Sequence, residues 1–242
     1  LFRSKPDGHT VFLAGGNAVA ANMHLIKNPQ VDAGREIAVA ATLNAMPFML
    51  GVDAGSPYRS IGDLTAALAA KKDKASYAYS SAFGKVIAEL YKVRGNLETV
   101  GVSYRAATDS LNELASGVID FGVYDPFVAL AQAKAGKMRI LAISTSQRTK
   151  ASSDLPTFRE QNVDVDLPGW WAAMVPAGTP KASVQKLNDW FKAVLETEET
   201  QEFTRQMGSD TMIMTPDAAQ ALFVREIDAW RAYVRLAKID PQ

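Results

Sequence analysis

Four short polar or aromatic segments of this sequence each lie where an apolar, strand-like run passes into a helix-like run. They are Gly15-Gly16-Asn17, Ser80-Ser81-Ala82-Phe83-Gly84, Tyr104-Arg105-Ala106-Ala107 and Tyr124-Asp125-Pro126-Phe127. The first backbone N–H groups of a helix lack intrahelical acceptors, and the helix dipole makes that end positive. Serine hydroxyls beside such groups suit a carboxylate, which accepts several hydrogen bonds at once. We therefore predict that these junctions converge on a small anion.

Each junction also has a simpler interpretation. Ser81 is of a residue type that commonly caps a helix, and Gly15-Gly16-Asn17 has the composition of an ordinary turn. Four such junctions in one α/β chain nevertheless favour a common cleft over four unrelated turns.

Catalytic chemistry has little support in the sequence. His9 and His24 are isolated, the chain has no cysteine, and the Asp164/Asp166 pair is expected on a solvated strand edge. The sequence also contains none of the G-x-S-x-G, P-loop, H-E-x-x-H or G-x-G-x-x-G motifs. We therefore expect a protein that is not an enzyme, with no metal and no organic cofactor.

The elements that would position the four junctions alternate between strand and helix. Strands are predicted at Thr10–Ala14, Ile37–Thr42, Phe48–Val52, Ser76–Tyr79, Val100–Ser103, Val118–Tyr124 and Met138–Ser144. Helices are predicted at Ala18–Ile26, from a Ser60 cap to Ala70, from the serine segment to Tyr91, and at Ala107–Ser116 and Pro126–Ala135. This alternation predicts βα units and a mainly parallel sheet, which binds ligands at the carboxyl ends of its strands.

The last third of the chain is mainly helical. Thr179-Pro180 and Thr215-Pro216 each predict an N-cap threonine followed by proline at the first helical position. Two apolar stripes follow, which we expect to face the core: Val184, Leu187, Phe191 and Leu195, then Phe223, Ile227, Trp230, Val234 and Ala237. Trp190 and Trp230 are given no functional role.

Composition narrows the class of partner. The 242 residues carry 26 basic and 26 acidic side chains, so no net charge favours nucleic acid or an anionic membrane. No apolar run approaches the ~18 residues of a membrane span. Residues 1–8 lack a signal-peptide pattern, and the turn Pro6-Asp7-Gly8 leads directly into a strand.

The amino-acid sequence resembles those of the Bug (Bordetella uptake gene) receptors, the extracytoplasmic solute-binding proteins of tripartite tricarboxylate transporters. The resemblance rests on short motifs in one order over nearly the whole chain: Pro6-Asp7-Gly8-His9-Thr10, Asn22-Met23-His24-Leu25, Val102-Ser103-Tyr104-Arg105, Leu114–Asp120, Lys134-Ala135-Gly136-Lys137 with Leu141-Ala142-Ile143, Asp154-Leu155-Pro156-Thr157 and Pro176–Pro180.

The resemblance implies a type II periplasmic-binding-protein fold, in which two α/β lobes joined by crossover strands hold a small acid between them. Carried over by position, the ligand contacts fall on Gly15, Gly16, Asn17, Ala18, Ser80, Ser81, Ala82, Tyr104, Arg105, Ala106, Tyr124 and Asp125. Trp170-Trp171 corresponds to an aromatic pair at the return crossover, with packing as its expected role and cleft lining as the alternative.

Three departures from the family pattern affect these expectations. The family's first strand and glycine-rich loop have no counterpart, so we expect an N-terminal βα unit to be missing from this chain. The serine segment is short, with Ala82 and Phe83 where the family has glycines. Tyr124 stands where many relatives have an aspartate, with Asp125 one position later, which disfavours amino-acid ligands and, with Phe127, suits a flatter or more apolar acid.

We therefore expect lobe 1 to comprise residues 1–45 and 169–242, and lobe 2 to comprise residues 46–168, with hinges at Ala45–Phe48 and Leu167–Trp171. The predicted function is capture of a carboxylate or dicarboxylate by a periplasmic, monomeric protein that delivers it to membrane transporter subunits. The alternative is a ligand-sensing domain of a regulator or signalling system with the same fold, which would need a fused or partner output module.

Overall fold

The computed structural model describes residue 1 and residues 3–241 of the chain. In the first half of that part, the strands and α-helices run in the order β1 (Phe12–Gly15), α1 (Gly16–Leu25), α2 (Ala33–Glu36), β2 (Ile37–Met46), β3 (Met49–Asp53), α3 (Ile61–Lys71), β4 (Ser76–Tyr79), α4 (Ala82–Arg94), β5 (Val100–Ser103) and α5 (Leu111–Ala115). The second half continues with β6 (Phe121–Tyr124), α6 (Pro126–Lys134), β7 (Met138–Ile143), β8 (Gly169–Pro176), α7 (Lys181–Leu195), α8 (Glu198–Gln206), β9 (Asp210–Thr211) and α9 (Pro216–Leu236).

The chain divides into two compact units. Unit 1 consists of Leu1–Ala45, Gly169–Gln206 and Asp210–Gln242, and unit 2 of Met46–Pro168 with Met207–Ser209. The short Met207–Ser209 segment belongs to unit 2 because it packs there: a Cβ added to Gly208 would meet Leu130 and Pro126 at 2.6 and 2.7 Å.

Unit 2 is built on a sheet with the order β5-β4-β6-β3-β7. Strands β5, β4 and β6 are mutually parallel, whereas β3 runs antiparallel to both of its neighbours, β6 and β7. The predicted parallel pairing therefore holds for β5, β4 and β6, whereas both strand pairs made by β3 are antiparallel. The interior of unit 2 is aliphatic and aromatic, with Tyr77, Tyr91, Phe121 and Phe158 fully buried.

Unit 1 is built on a sheet with the order β1-β8-β2-β9, in which β1 pairs antiparallel with β8. The stripe predicted on the last helix is confirmed: Phe223, Trp230, Val234 and Ala237 are buried, and Phe223 meets Trp170 edge-on. Among the described residues, no helix is long and apolar enough to cross a membrane.

Several predicted boundaries need correction. The strand expected over Val118–Tyr124 begins only at Phe121, because Gly117 adopts a left-handed conformation (φ 75°) and the N–H groups of Val118 and Ile119 both bond to the carbonyl of Glu113. The helix expected over Ala107–Ser116 is a 3₁₀ turn at Ala107–Ser110 followed by the short α5.

The expectation that Asp164 and Asp166 lie on a strand edge is also wrong. The Asp164–Asp166 segment is not a strand, and both carboxylates pair with Arg159, at 2.9 and 3.3 Å. Trp190, which was given no functional role, is 59% exposed, and Lys186 Nζ lies 5.0 Å from its ring centroid.

Candidate functional site

Three of the four predicted junctions meet at one edge of the unit 2 sheet. In the parallel register, Tyr79 lies opposite Ser103, and Ala78 lies opposite both Val102 and Gly122. Strands β5, β4 and β6 are neighbours that end together, so the segments following them leave from the same edge. The carboxyl ends of parallel strands, followed by helix starts, are the usual ligand side of an α/β sheet.

The serine junction joins β4 to α4. Ser81 accepts a hydrogen bond from the N–H of Gly84 at 3.1 Å, so its hydroxyl is the N-cap of α4. Ser80 is exposed and has no hydrogen-bond partner among the described residues. The simpler interpretation thus holds for Ser81, whereas Ser80 and the first N–H of the helix, at Ala82, keep donors to offer.

Aromatic packing fixes the start of α4. The Phe83 ring lies on Phe48, with centroids 4.7 Å apart, and a Cβ on Gly84 would come within 3.3 Å of the Val123 carbonyl oxygen. Glycine at position 84 therefore lets the first turn of α4 approach strand β6 closely. Lys85 places its ammonium 5.6 Å from the ring centroid of Tyr79, the last residue of β4.

The second junction continues the sheet by one residue before it turns. The N–H of Tyr104 donates to the carbonyl of Tyr79 at 2.9 Å, and its hydroxyl donates to Glu113 at 2.6 Å. Desolvation, assisted by the hydrogen bond to Glu113, raises the pKa of Tyr104 to about 12. This hydroxyl therefore stays protonated at neutral pH and donates to Glu113 of the following helix, α5.

Ala106 and Arg105 differ in what they leave available. The N–H of Ala106 donates to Asp109 Oδ2 at 3.0 Å, so this amide is already engaged by the turn that follows it. The Arg105 side chain is exposed, with no ion-pair or hydrogen-bond partner in the described part of the chain. Arg105 is thus a cation at this edge that can bind an anion without breaking another contact.

The third junction is more buried than the sequence suggests. The Tyr124 side chain lies beneath the surface, 2% exposed, and its hydroxyl pairs with Ser110 Oγ at 3.0 Å. Burial raises the pKa of this hydroxyl. The ring crosses Gly122, where an added Cβ would stand 2.4 Å from Tyr124 Cζ. Tyr124 therefore supports the Ala107–Ser110 turn from below.

Asp125 acts as a helix cap. Its Oδ1 accepts the N–H of Val128 at 3.1 Å, and Pro126 takes the first position of α6. The carboxylate is thus used locally, which leaves Phe127, exposed in the first turn, as the apolar side chain of this junction.

Burial of Ser110 and its bond to Tyr124 had no signal in the sequence, because one serine in a helical pattern is unremarkable.

The fourth junction, Gly15–Ala18, lies in unit 1 between β1 and α1. Helix α1 begins at Gly16, so Gly16 and Asn17 are helical and the prediction of a plain loop here is wrong. A Cβ on Gly16 would lie 2.2 Å from Trp170 Cη2, so only glycine fits beneath that indole. The backbone N–H of Trp170 donates to Asn17 Oδ1, with 3.4 Å between nitrogen and oxygen, and this bond ties the helix start to β8.

The start of α1 has no side-chain cap. Gly15 is its N-cap residue, with φ −63° and ψ 116°, and offers no oxygen to the first N–H groups. These groups are therefore donors without a side-chain acceptor, next to an exposed Ala18. Trp170 packs in the interior as expected, whereas the neighbouring Trp171 is 43% exposed.

The chemistry of these positions is that of hydrogen bonding and positive charge. Among the described residues, no cluster of three or more His, Cys, Asp or Glu side chains could hold a metal ion. What the junctions provide are helix N-termini, the hydroxyl of Ser80 and the guanidinium of Arg105. This set fits an oxyanion and offers no nucleophile paired with a base.

Comparison with known proteins now identifies the family. Residues 1–237 match the family described as "Tripartite tricarboxylate transporter family receptor". The chain belongs to this receptor family. The resemblance to Bug receptors is thereby confirmed, and so is the prediction of a binding protein rather than an enzyme.

Individual relatives agree with this membership. A UPF0065 protein of Bordetella bronchiseptica is 28% identical over 188 residues, which cover 76% of this chain and 55% of that protein. The protein BugT of Bordetella pertussis is 22% identical over 237 residues, covering 96% of this chain and 73% of BugT. The chain thus spans little more than half of one of these curated relatives.

Solved structures confirm the fold. A Rhodopseudomonas palustris protein solved with adipate superposes with a TM-score of 0.86 at 24% identity, over 100% of this chain and 82% of that one. The periplasmic binding protein BugD superposes with a TM-score of 0.82 at 22% identity, again over 100% and 82% of the two chains. The predicted periplasmic-binding-protein fold is therefore confirmed.

Proposed function

We propose that this receptor captures a small carboxylate, with a dicarboxylate as the preferred class, and presents it to the membrane subunits of a tripartite transporter. The observation that carries the proposal is the common edge of β5, β4 and β6, where the serine and Arg105 junctions leave the sheet side by side. Ser80, the Ala82 amide and Arg105 are the expected contacts in unit 2. Gly15–Ala18 is the expected contribution of unit 1.

The arrangement favours an acid without an ammonium group. Asp109 and Asp125 each accept a backbone N–H group at their own helix starts, so both carboxylates are held there as caps. Arg105, by contrast, has no partner in the described part of the chain and can pair with a second carboxylate. Solved relatives carry adipate in one case and malate in another, which is the same chemical class.

The proposal includes closure of the two units around the ligand, with hinges at Ala45–Phe48 and Leu167–Trp171 as the family resemblance implies. It also includes a monomeric state and a periplasmic location, and the location is in line with a relative described as a periplasmic binding protein. Small-angle scattering with and without adipate tests closure and the monomeric state. We expect a monomer that becomes more compact when adipate is added.

Calorimetric titration tests the ligand class. Adipate, malate, acetate and glutamate are titrated separately into the protein. We expect tighter binding of adipate and malate, the dicarboxylates without an ammonium group, than of acetate or glutamate. Replacement Arg105→Met should weaken dicarboxylate binding about tenfold or more, because a charge-assisted hydrogen bond is lost. It should change acetate binding much less.

The matched control removes a cation from the opposite edge of the same sheet. Lys74 is exposed and precedes β4, whereas Arg105 follows β5 at the carboxyl edge. Lys74→Met should leave all four affinities unchanged. Equal losses in both variants, or no carboxylate binding by any form, would rule out the proposed function.

A further inference from the structure

A groove in unit 1 has no part in the proposed function. It lies beside β2, where α7 and α9 begin, and its volume is about 630 Å³. Its walls include Arg35, Thr179, Lys181, Thr215 and Gln220. Gln220 satisfies the adjoining β2 backbone, since its side chain accepts from the Val39 N–H at 2.8 Å and donates to the Ile37 carbonyl at 3.2 Å.

This groove, called here the α7 groove, is distant from the Gly15–Ala18 junction. Strand β1 pairs antiparallel with β8, placing Gly15 opposite Trp171 at the beginning of β8. Ala177 and Thr179 of the groove follow the other end of β8. Six residues of extended chain separate Trp171 from Ala177, which corresponds to about 20 Å.

The start of α7 leaves donors unused at the groove. Pro180 is its N-cap residue and provides no side-chain acceptor. The N–H groups of Ser183 and Val184 bond to the Pro180 carbonyl, at 2.9 and 3.1 Å. The N–H groups of Lys181 and Ala182 precede these and have no acceptor among the residues that the structure describes. Helix α7 is 15 residues long, so its positive end is well developed.

A second observation is independent of the helix. Thr179 is only 6% exposed, forms part of the groove wall, and its Oγ1 has no hydrogen-bond partner in the described chain. Leaving a buried hydroxyl unsatisfied costs about 1–3 kcal/mol. Such groups in native proteins call for an unseen partner, such as a bound ion. The hydroxyl can donate to an anion held at the adjacent helix start.

The charge at the groove favours the same ligand. Lys181 is exposed and makes no ion pair within residues 3–241, and Arg35 pairs only loosely with Asp32, at 3.5 Å between largely exposed side chains. Asp217 is the acidic residue of the groove wall, and it sits in the first turn of α9, where the helix dipole offsets its charge. Lys181 is therefore the cation at the groove without an ion-pair partner in the described chain.

We propose that the α7 groove is a second anion site, which binds a compact oxyanion through the Lys181 and Ala182 amides, the Thr179 hydroxyl and the Lys181 ammonium. The chemistry shared by a phosphate and a carboxylate group is what the site recognises. The proposal is independent of carboxylate capture at the Ser80 and Arg105 junctions.

The test follows amide shifts in a ¹⁵N-labelled sample of the whole chain during separate titrations with inorganic phosphate and acetate. We expect the Lys181 and Ala182 signals to shift and saturate with at least one of the two probes, and the responding probe identifies the oxyanion. Thr179→Val and Lys181→Met should each weaken this response about tenfold, because each removes a donor to the anion. Thr179→Ser should retain it, which separates the hydroxyl from packing.

Lys186→Met is the matched control, since Lys186 lies on α7 but outside the groove, over the Trp190 ring. This variant should bind the probe as the unchanged chain does. Adipate affinity should be the same in all four variants, so that failure of one site is distinguishable from failure of the other. Absence of saturable shifts at Lys181 and Ala182, or shifts that survive both Thr179→Val and Lys181→Met, would overturn the proposal.

Discussion

The same dipeptide, Thr-Pro, stands at the start of α7 and of α9, but the two helices begin at different positions relative to it. Thr215 is the N-cap of α9, its Oγ1 accepts the N–H of Ala218 at 3.3 Å, and Pro216 is the first helical residue. In Thr179-Pro180 the helix starts one residue later, so proline becomes the cap and the threonine hydroxyl finds no partner in the described chain. Identical local sequence therefore gives one helix start that is satisfied and one that is open.

The same contrast separates the helix starts near the proposed ligand. Helices α4 and α6 in unit 2 are capped by Ser81 and Asp125, whereas α1 in unit 1 begins at Gly15 without a side-chain cap. A capped start holds its own N–H groups and leaves fewer for a ligand. An open start needs packing to hold it and keeps donors available.

The largest effect is expected where packing replaces a cap. In Gly16→Ala, the new Cβ would overlap the Trp170 ring at 2.2 Å, and we expect the free energy of unfolding to fall by about 1–3 kcal/mol or more. Urea unfolding monitored by tryptophan fluorescence measures this. Gly15→Ala is the control, since the nearest atom to its Cβ is at 3.5 Å, and its loss should stay within about 0.5 kcal/mol. Equal losses would refute the packing account of α1.

The next largest change in stability is expected at the two Thr-Pro helix starts. Thr215→Ala removes a cap and should cost about 1 kcal/mol of unfolding free energy. Thr179→Val replaces a hydroxyl that has no partner and should cost nearly nothing or stabilise the protein slightly. Parallel urea titrations compare the two variants. A larger loss for Thr179→Val than for Thr215→Ala would contradict the assigned helix starts.

A similar loss of stability is expected when the tyrosine hydroxyls at the second and third junctions are removed. Tyr124→Phe removes the hydroxyl that pairs with Ser110 and should lower the free energy of unfolding by about 1 kcal/mol. Tyr104→Phe removes a more accessible hydroxyl and should lower it less, as measured in the same denaturant. If Tyr124→Phe is silent, the Ala107–Ser110 turn does not depend on that contact.

The smallest change in stability would come from giving α1 the cap it lacks. Gly15→Ser offers a hydroxyl to the first N–H groups, and we expect a gain of a few tenths of a kcal/mol. The same hydroxyl would compete with a carboxylate for those groups, so adipate affinity should fall several-fold in calorimetry. Tighter adipate binding by this variant would show that the start of α1 is not a donor to the ligand.

The sequence predicted the fold well where the signal was local. Strands Ser76–Tyr79 and Val100–Ser103 were predicted to the residue, because each is a short apolar run bounded by clear turn residues. The Ser60 cap of α3 was also predicted, and its side chain accepts from Asp63. Prediction failed at Val118, where the left-handed Gly117 turns the N–H groups of Val118 and Ile119 back to the Glu113 carbonyl. It also failed at Thr179, because Pro180 rather than the threonine is the N-cap residue of α7.

The site was predictable as a set of positions but not as a set of roles. Strand-to-helix junctions are visible in the pattern, and the parallel register brings those of β4, β5 and β6 together. That Ser81 and Asp125 are used as caps while Arg105 is not paired depends on side-chain geometry. The burial of Tyr124 across Gly122 likewise depends on tertiary packing that no spacing rule encodes.

The most direct test of carboxylate capture is a ¹⁵N amide-shift titration of the whole chain with adipate. Saturable shifts are predicted at Ser80–Ala82, Tyr104-Arg105 and Gly16–Ala18, together with loss of the Arg105 response in Arg105→Met. Shifts at none of these segments, or shifts confined to Lys181 and Ala182 of the α7 groove, would contradict the account.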